Sequence, residues 1–140
     1  MRNPYKKMMG NVRMASKNKG SARNTISEDM KRTLVNGPNG PYRMKKTHEV
    51  DITWEDIKEQ FESQDEKCYW TGMPIDIELI FETHNCASPS VDRLDDKKGY
   101  VKGNFVITSR FVNNGRGTTS EEKFKLFIKN MKKTLTRMAI

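Results

Sequence analysis

Apolar residues recur along this chain in patterns that switch period several times, and each switch predicts a boundary. In "YKKMMGNVRMASKNKGSARN" Met8, Val12 and Met9 have some helical spacing, but Gly10, Gly20 and a polar run interrupt it. The stretch reads as a weak helix, or as an arm that orders on a partner. "VNGPNGPYR", residues 35–43, is dense in Gly, Pro and Asn and predicts a turn or linker. "TWEDIKEQFESQ" predicts a short helix, with Thr53 as N-cap, Asp56 as its capping-box partner, and Trp54, Ile57 and Phe61 along one face. "CYWTGMPIDIELIF" brings an aromatic pair, a Thr-Gly turn and a β-leaning run. Two short strands follow, roughly 88–94 and 104–109, joined by "DDKKGYVKG". "SRFVNNGRG" predicts a short helix or turn that ends at glycine. The last element is the clearest: Ser120 or Thr119 caps "EEKFKLFIKNMKKTLTRM", with acids in the first turn and bases in the last. Phe124, Phe127, Ile128, Met131, Leu135 and Met138 share one face of it. No internal repeat or low-complexity segment is visible.

Length and charge sharpen this picture. At 140 residues the chain is long enough for one domain with a modest core. Its net charge of +8 is uneven: residues 1–46 hold 12 Lys/Arg against Glu28 and Asp29, a net of +10, while the remaining 14 basic and 16 acidic residues leave −2. That asymmetry divides the chain into a basic N-terminal arm, 1–46, partly helical or ordered on binding, and a compact part, 47–140. It also points to a polyanionic partner, of which nucleic acid is the commonest; a solvated tail with no specific partner is the plainer alternative. No apolar run approaches the roughly 18 residues needed to span a bilayer, and residues 1–20 lack the apolar block of a signal peptide, so an intracellular protein without a membrane partner is expected. Two cysteines, Cys68 and Cys86, suit a reducing compartment better than a secreted disulfide scaffold.

The candidate chemistry lies in "PSVDRLDDKKGYVKGN", where acids and an arginine crowd a hairpin. A hairpin packed on the following helix would bring Asp92 near Asn113, and two protein oxygens with waters and a phosphate are how Mg²⁺ is usually held. Such an ion could stabilise charge on a scissile phosphate. The same two residues read equally well as loop and cap positions.

"CYWTGMPID", then "SPSVDRLDDKKGYVKGNFVITSRFVNNGRG" and "SEEKFKLFI", resembles the HNH endonucleases, also called ββα-metal or His-Me finger nucleases, especially the small bacteriophage versions. The similarity spans about residues 50–130, and its most specific part is D-R-x-D-x-x-x-G-Y-x-x-x-N followed nine residues later by Asn. The resemblance implies an α+β fold with a ββα-metal (HNH) core, flanking helices and the basic N-terminal arm. It implies a divalent-metal-dependent DNA endonuclease using Mg²⁺ (or Mn²⁺), with Asp92 and Asn113 as ligands and Asn104 bracing the loop. Double-stranded DNA is the implied substrate, a homodimer is one arrangement that would cut both strands, and the host cytoplasm is the implied location for a phage-encoded chain.

The departure from the family falls on the base. The usual pattern is Asp-His, and here Arg93 stands in the histidine's place. An arginine holds its proton too tightly to accept one from water at neutral pH. An Asp-Arg minority of the family exists, however, and a guanidinium suits bidentate contact with a phosphate. His84 is then the first candidate for the base, because histidine is the side-chain type suited to proton transfer at neutral pH and this one is close in the chain, with His48, Tyr69 and Tyr100 behind it. Many relatives bind structural zinc through two Cys-x-x-Cys pairs. Here the matching places read Cys68-Tyr-Trp-Thr71 and Ser109-Arg-Phe-Val112, which excludes a four-thiolate site, and no structural zinc is expected; a rebuilt set of Cys68, His84, Cys86 and a fourth ligand is the alternative. Lys102, Arg110 and Arg116 around the helix and loop, with Lys6, Lys7 and Arg13 in the arm, are candidate nucleic-acid contacts. The rival reading is an HNH-fold nucleic-acid-binding protein that lost catalysis at Arg93; a basic structural or RNA-associated protein is a second.

Overall fold

The computed structural model describes residues 2–17 and 48–138. Its architecture is α+β, with helices around two small sheets. The proposed linker at 35–43 lies outside the described residues.

Helix α1, Pro4–Lys17, opens where Asn3 Oδ1 accepts from the Tyr5 and Lys6 backbone N–H groups at 2.9 and 3.2 Å. Met8, Met9 and Val12 are buried in the main core, and the Tyr5 and Phe61 rings meet at 6.5 Å. The sequence places these residues in an arm; in the structure α1 belongs to the compact part. Three large apolar side chains on one stripe are reason enough, since burying each is worth about 1.5–3 kcal/mol, more than a short helix gains by staying in solvent.

Helix α2, Trp54–Ser63, has the expected capping box: the Asp56 N–H donates to Thr53 Oγ1 at 3.3 Å, and the Thr53 N–H to Asp56 Oδ2 at 2.8 Å. Ile57 and Phe61 are fully buried on its inner face. The α2 C-cap, Gln64, then acts as a surrogate strand: its side-chain Nε2 donates to Ile107 O at 2.8 Å, and the Ile107 N–H donates to its Oε1 at 3.0 Å.

"IDIELIF" departs from its β-leaning reading. Residues Ile77–Phe81 form a 3-10 helix, because Asp76 Oδ1 accepts from the Glu78 N–H at 3.0 Å and so caps a helical turn. Strand β2, Pro89–Arg93, pairs antiparallel with β4, Phe105–Ser109, with Asp92 opposite Val106. Every residue of β4 is buried, so this strand forms the floor of the core. Between them, the expected connection "DDKKGYVKG" contains strand β3, Tyr100–Val101, which runs parallel to β1, Val50–Asp51. A Cβ at Gly99 would collide with the Glu49 carbonyl, so this close approach requires glycine. Helix α3, Arg110–Arg116, packs on β2 and β4, and the long helix α4, Glu121–Met138, closes the other side with Phe124 and Ile128. No described helix is long and apolar enough to cross a membrane.

Candidate functional site

The site is built where β2 meets α3. Ser109 caps α3 by accepting from the Val112 N–H at 3.2 Å, and the Arg110 and Phe111 N–H groups donate back to Ser88 O and Cys86 O at 2.7 and 3.0 Å. This locks the start of the helix against the start of β2. Asn113 and Arg116, one helical turn apart, then grip β2 on either side of Asp92. Asn113 Nδ2 donates to Ser90 Oγ at 2.7 Å and Val91 O at 3.3 Å. Arg116 Nη1 donates to Asp92 Oδ1 at 2.9 Å and Arg93 O at 2.7 Å, and its Nη2 donates to Leu94 O at 2.7 Å. Gly117, at φ 54°, ends the helix in the left-handed region.

Asp92 is only 4% exposed, and its second oxygen accepts from Trp70 Nε1 at 2.9 Å. Burial pushes its carboxyl above the ordinary value of 3.8, against the Trp70 hydrogen bond and the Arg116 charge, which pull it down. Arg116, expected among the surface phosphate contacts, is itself only 3% exposed, with its guanidinium 5.0 Å from the Trp70 ring centroid. Its two terminal nitrogens bind the fold, because a cation enclosed at this depth needs partners. Its Nε lacks a hydrogen-bond partner among the described residues.

The loop between the strands is closed by Asn104. Its Nδ2 donates to Asp95 O and Gly99 O at 3.1 and 2.9 Å, and its Oδ1 accepts from the Asp95 N–H at 2.9 Å. Arg93 Nη1 donates to Asp96 O and Lys98 O, both at 3.0 Å, and its guanidinium lies 5.3 Å from the Tyr100 ring centroid. Burial raises the Tyr100 hydroxyl pKa against the opposing pull of Arg93. Tyr69, 52 residues before Glu121 of α4, donates its hydroxyl to that carboxylate at 3.3 Å, and its pKa is also raised, first by burial.

The structure sorts the remaining candidates. His84 is exposed on a loop at φ 60°, and no hydrogen bond among the described residues ties it to Asp92. His48 instead lines an open depression of about 740 Å³ with Asp96, Lys97, Lys98 and Gly99, the same loop whose carbonyls hold Arg93. Lys102 and Arg110 are exposed, with the Lys102 ammonium 3.9 Å from Asp56. Lys6, Lys7 and Arg13 are exposed on α1, and the Lys6 ammonium sits 5.6 Å from the Trp54 ring centroid. Cys68 is buried and Cys86 exposed, and no group of three or more His, Cys, Asp or Glu residues is gathered among the described residues, so Cys68, His84 and Cys86 do not form a set.

The chain matches no protein-family model, and comparison with curated proteins and with solved structures returns no match.

A hard divalent ion calls for oxygen donors. Asn113 makes its hydrogen bonds through Nδ2, which leaves Oδ1 for an ion, and each Asp92 oxygen accepts one N–H. A carboxylate offers about four lone-pair sites, so the pair fits such an ion chemically, although Asp92 would share it with the guanidinium of Arg116. Trp70 and Arg116 are the two partners of Asp92 that the sequence leaves unmarked. The only signal is that a buried indole N–H usually finds an acceptor, which says nothing about one 22 residues away.

Proposed function

We propose that this chain is an HNH-type endonuclease that hydrolyses DNA phosphodiester bonds with the help of Mg²⁺ or Mn²⁺. The observation that carries the reading is the strand, loop, strand and helix unit in which Asn104 closes the loop and Asn113 hooks onto β2 one residue from Asp92. This arrangement supports reading the unit as a ββα-metal core. Asp92 and Asn113 would hold the ion, which when bound would neutralise charge on the scissile phosphate and its leaving oxygen.

The protein's own groups would do the rest. Arg93 is half-buried and uses Nη1 on the loop, so its other nitrogens remain for a phosphate oxygen. The guanidinium cannot take a proton from water at neutral pH, so a second group would accept it, with His84 as the candidate. Lys102 and Arg110 would position the backbone. The products would be 3′-hydroxyl and 5′-phosphate ends, and a homodimer would cut both strands of a duplex.

One observation favours the second reading, a nucleic-acid-binding protein of the same fold without catalysis: the ion pair of Asp92 with Arg116 already supplies the carboxylate with a cation. Supercoiled plasmid incubated with protein and Mg²⁺ or Mn²⁺ separates the two. Nicked or linear product from the wild type is expected, and not from Asn113→Ala, which leaves the Asp92 ion pair in place. Asp92→Ala is the harsher variant, because it strands the Arg116 charge in the core, and it needs a melting curve beside it. Plasmid left intact but shifted on a gel by the wild type would end the enzyme reading in favour of the binding protein.

A further inference from the structure

A second concentration of basic residues lies outside the N-terminal third. From residue 123 onward, helix α4 carries Lys123, Lys125, Lys129, Lys132, Lys133 and Arg137 and no acid. At 100° per residue the last five fall within roughly 140° of the helix circumference, beside the apolar stripe that anchors α4. They line, with Trp70, an open groove of about 610 Å³. Trp70 is also the residue whose indole N–H holds Asp92, so the groove and the candidate site share a wall.

The packing of α4 does not call for this stripe. Phe124, Ile128 and Met131 seat the helix, whereas Lys129, Lys132, Lys133 and Arg137 are exposed. Lys125, Lys129, Lys133 and Arg137 also follow one another at i, i+4 spacing, which sets like charges side by side and destabilises a helix. Among the described residues, Lys125 is the one of these four with a carboxylate close by, Glu121 at 2.8 Å. A row of cations at about one per 6 Å over about 18 Å of helix offers a continuous line of positive charge to a polyanion, and a DNA strand, with about one phosphate per 3.4 Å of axis, supplies more than enough partners for it.

We infer that the groove between Trp70 and the basic face of α4 is the seat of a duplex DNA backbone, with Lys129, Lys132, Lys133 and Arg137 as phosphate contacts leading the strand toward Asp92. The inference rests on the nuclease reading for its ligand, but it concerns binding and not chemistry. It adds a surface on α4 to the contacts from Lys102, Arg110 and α1.

Binding of a labelled DNA duplex to the full chain, followed by fluorescence anisotropy in EDTA between about 50 and 200 mM salt, tests it without cleavage. The variant replaces Lys129, Lys132, Lys133 and Arg137 by Gln, which keeps helix propensity. The expected result is at least a tenfold loss of affinity and a salt slope shallower by about 0.9 for each phosphate contact removed, with Lys58→Gln on α2 unchanged. A second variant, Lys133→Glu with Arg137→Glu, should weaken binding further. Wild-type affinity and slope in both α4 variants would overturn the inference and leave the nuclease reading intact. A wild type that neither binds nor cuts DNA would remove both. If the variants lose binding to phosphatidylserine vesicles and keep DNA binding, the face is a membrane contact and the inference fails.

Discussion

Asp92 meets opposing demands at a single carboxyl. Burial raises its proton affinity, while Trp70 and Arg116 each favour the charged form, and burial has the larger effect. For a carboxyl whose folded pKa lies above its unfolded one, the stability contribution is full below the unfolded value and is lost as pH rises through the folded value. Asp92→Asn removes this titration. The unfolding free energy of the wild type relative to Asp92→Asn should therefore fall as pH rises from about 3.8 toward neutrality, which urea titrations at a series of pH values would measure. A gap independent of pH would show that the carboxyl titrates at its ordinary value. The prominence of Asp92 was legible in the sequence, because acids beside Arg93 are unusual in a hairpin. Its partners were not: Trp70 and Arg116 lie 22 and 24 residues away, and nothing local at either position announces an ion pair.

Elements governed by neighbours a few residues apart were legible. Thr53 with Asp56 opens α2, the two long strands sit close to their expected places, and α4 begins just after Ser120 with acids in its first turn. Where a distant segment takes part, the pattern misleads. "GYV" has the composition of a turn, yet Tyr100 and Val101 pair with Val50 and Asp51, and only Gly99 lets the two backbones approach. Gly99→Ala should push β3 from β1 and cost about 1–3 kcal/mol, the range for forcing an atom into a filled site. Faster amide exchange at Tyr100, whose N–H donates to Glu49 O at 2.8 Å, would localise the damage. Wild-type stability in this variant would mean that the β1–β3 contact is dispensable. "IDIELIF" shows the converse, since its apolar alternation suits a strand while the side chain of Asp76 caps a turn.

At the scale of the whole molecule, charge and packing divide the chain differently. By charge the first 46 residues are one basic block, but by packing its first helix is part of the domain, because α1 shares its core with α2, the 3-10 helix and β2. Met8 is 1% exposed, so Met8→Ala should destabilise the entire domain by about 2–5 kcal/mol, measured as a shifted urea midpoint with unchanged slope. A loss confined to α1, with the β2–β4 hairpin still protected, would instead mark the helix as an appendage. The basic face of α4 belongs to this scale too: the bases are spread along 13 positions of sequence, and the helix together with Trp70 makes them one surface.

Sequence alone determined the caps at the start of α2 and α4, the approximate limits of the hairpin strands, the amphipathic α4 and the prominence of Asp92, Asn104 and Asn113. Each depends on residues within a turn or a register of one another, where periodicity and capping chemistry act directly. Only the tertiary structure decided that Arg116 is an internal counter-ion and not a surface contact, that α1 is core, and that Trp70 joins the α4 groove to Asp92. Burial and charge pairing are set by segments distant in the chain, so which partner meets which is known only once the elements have packed.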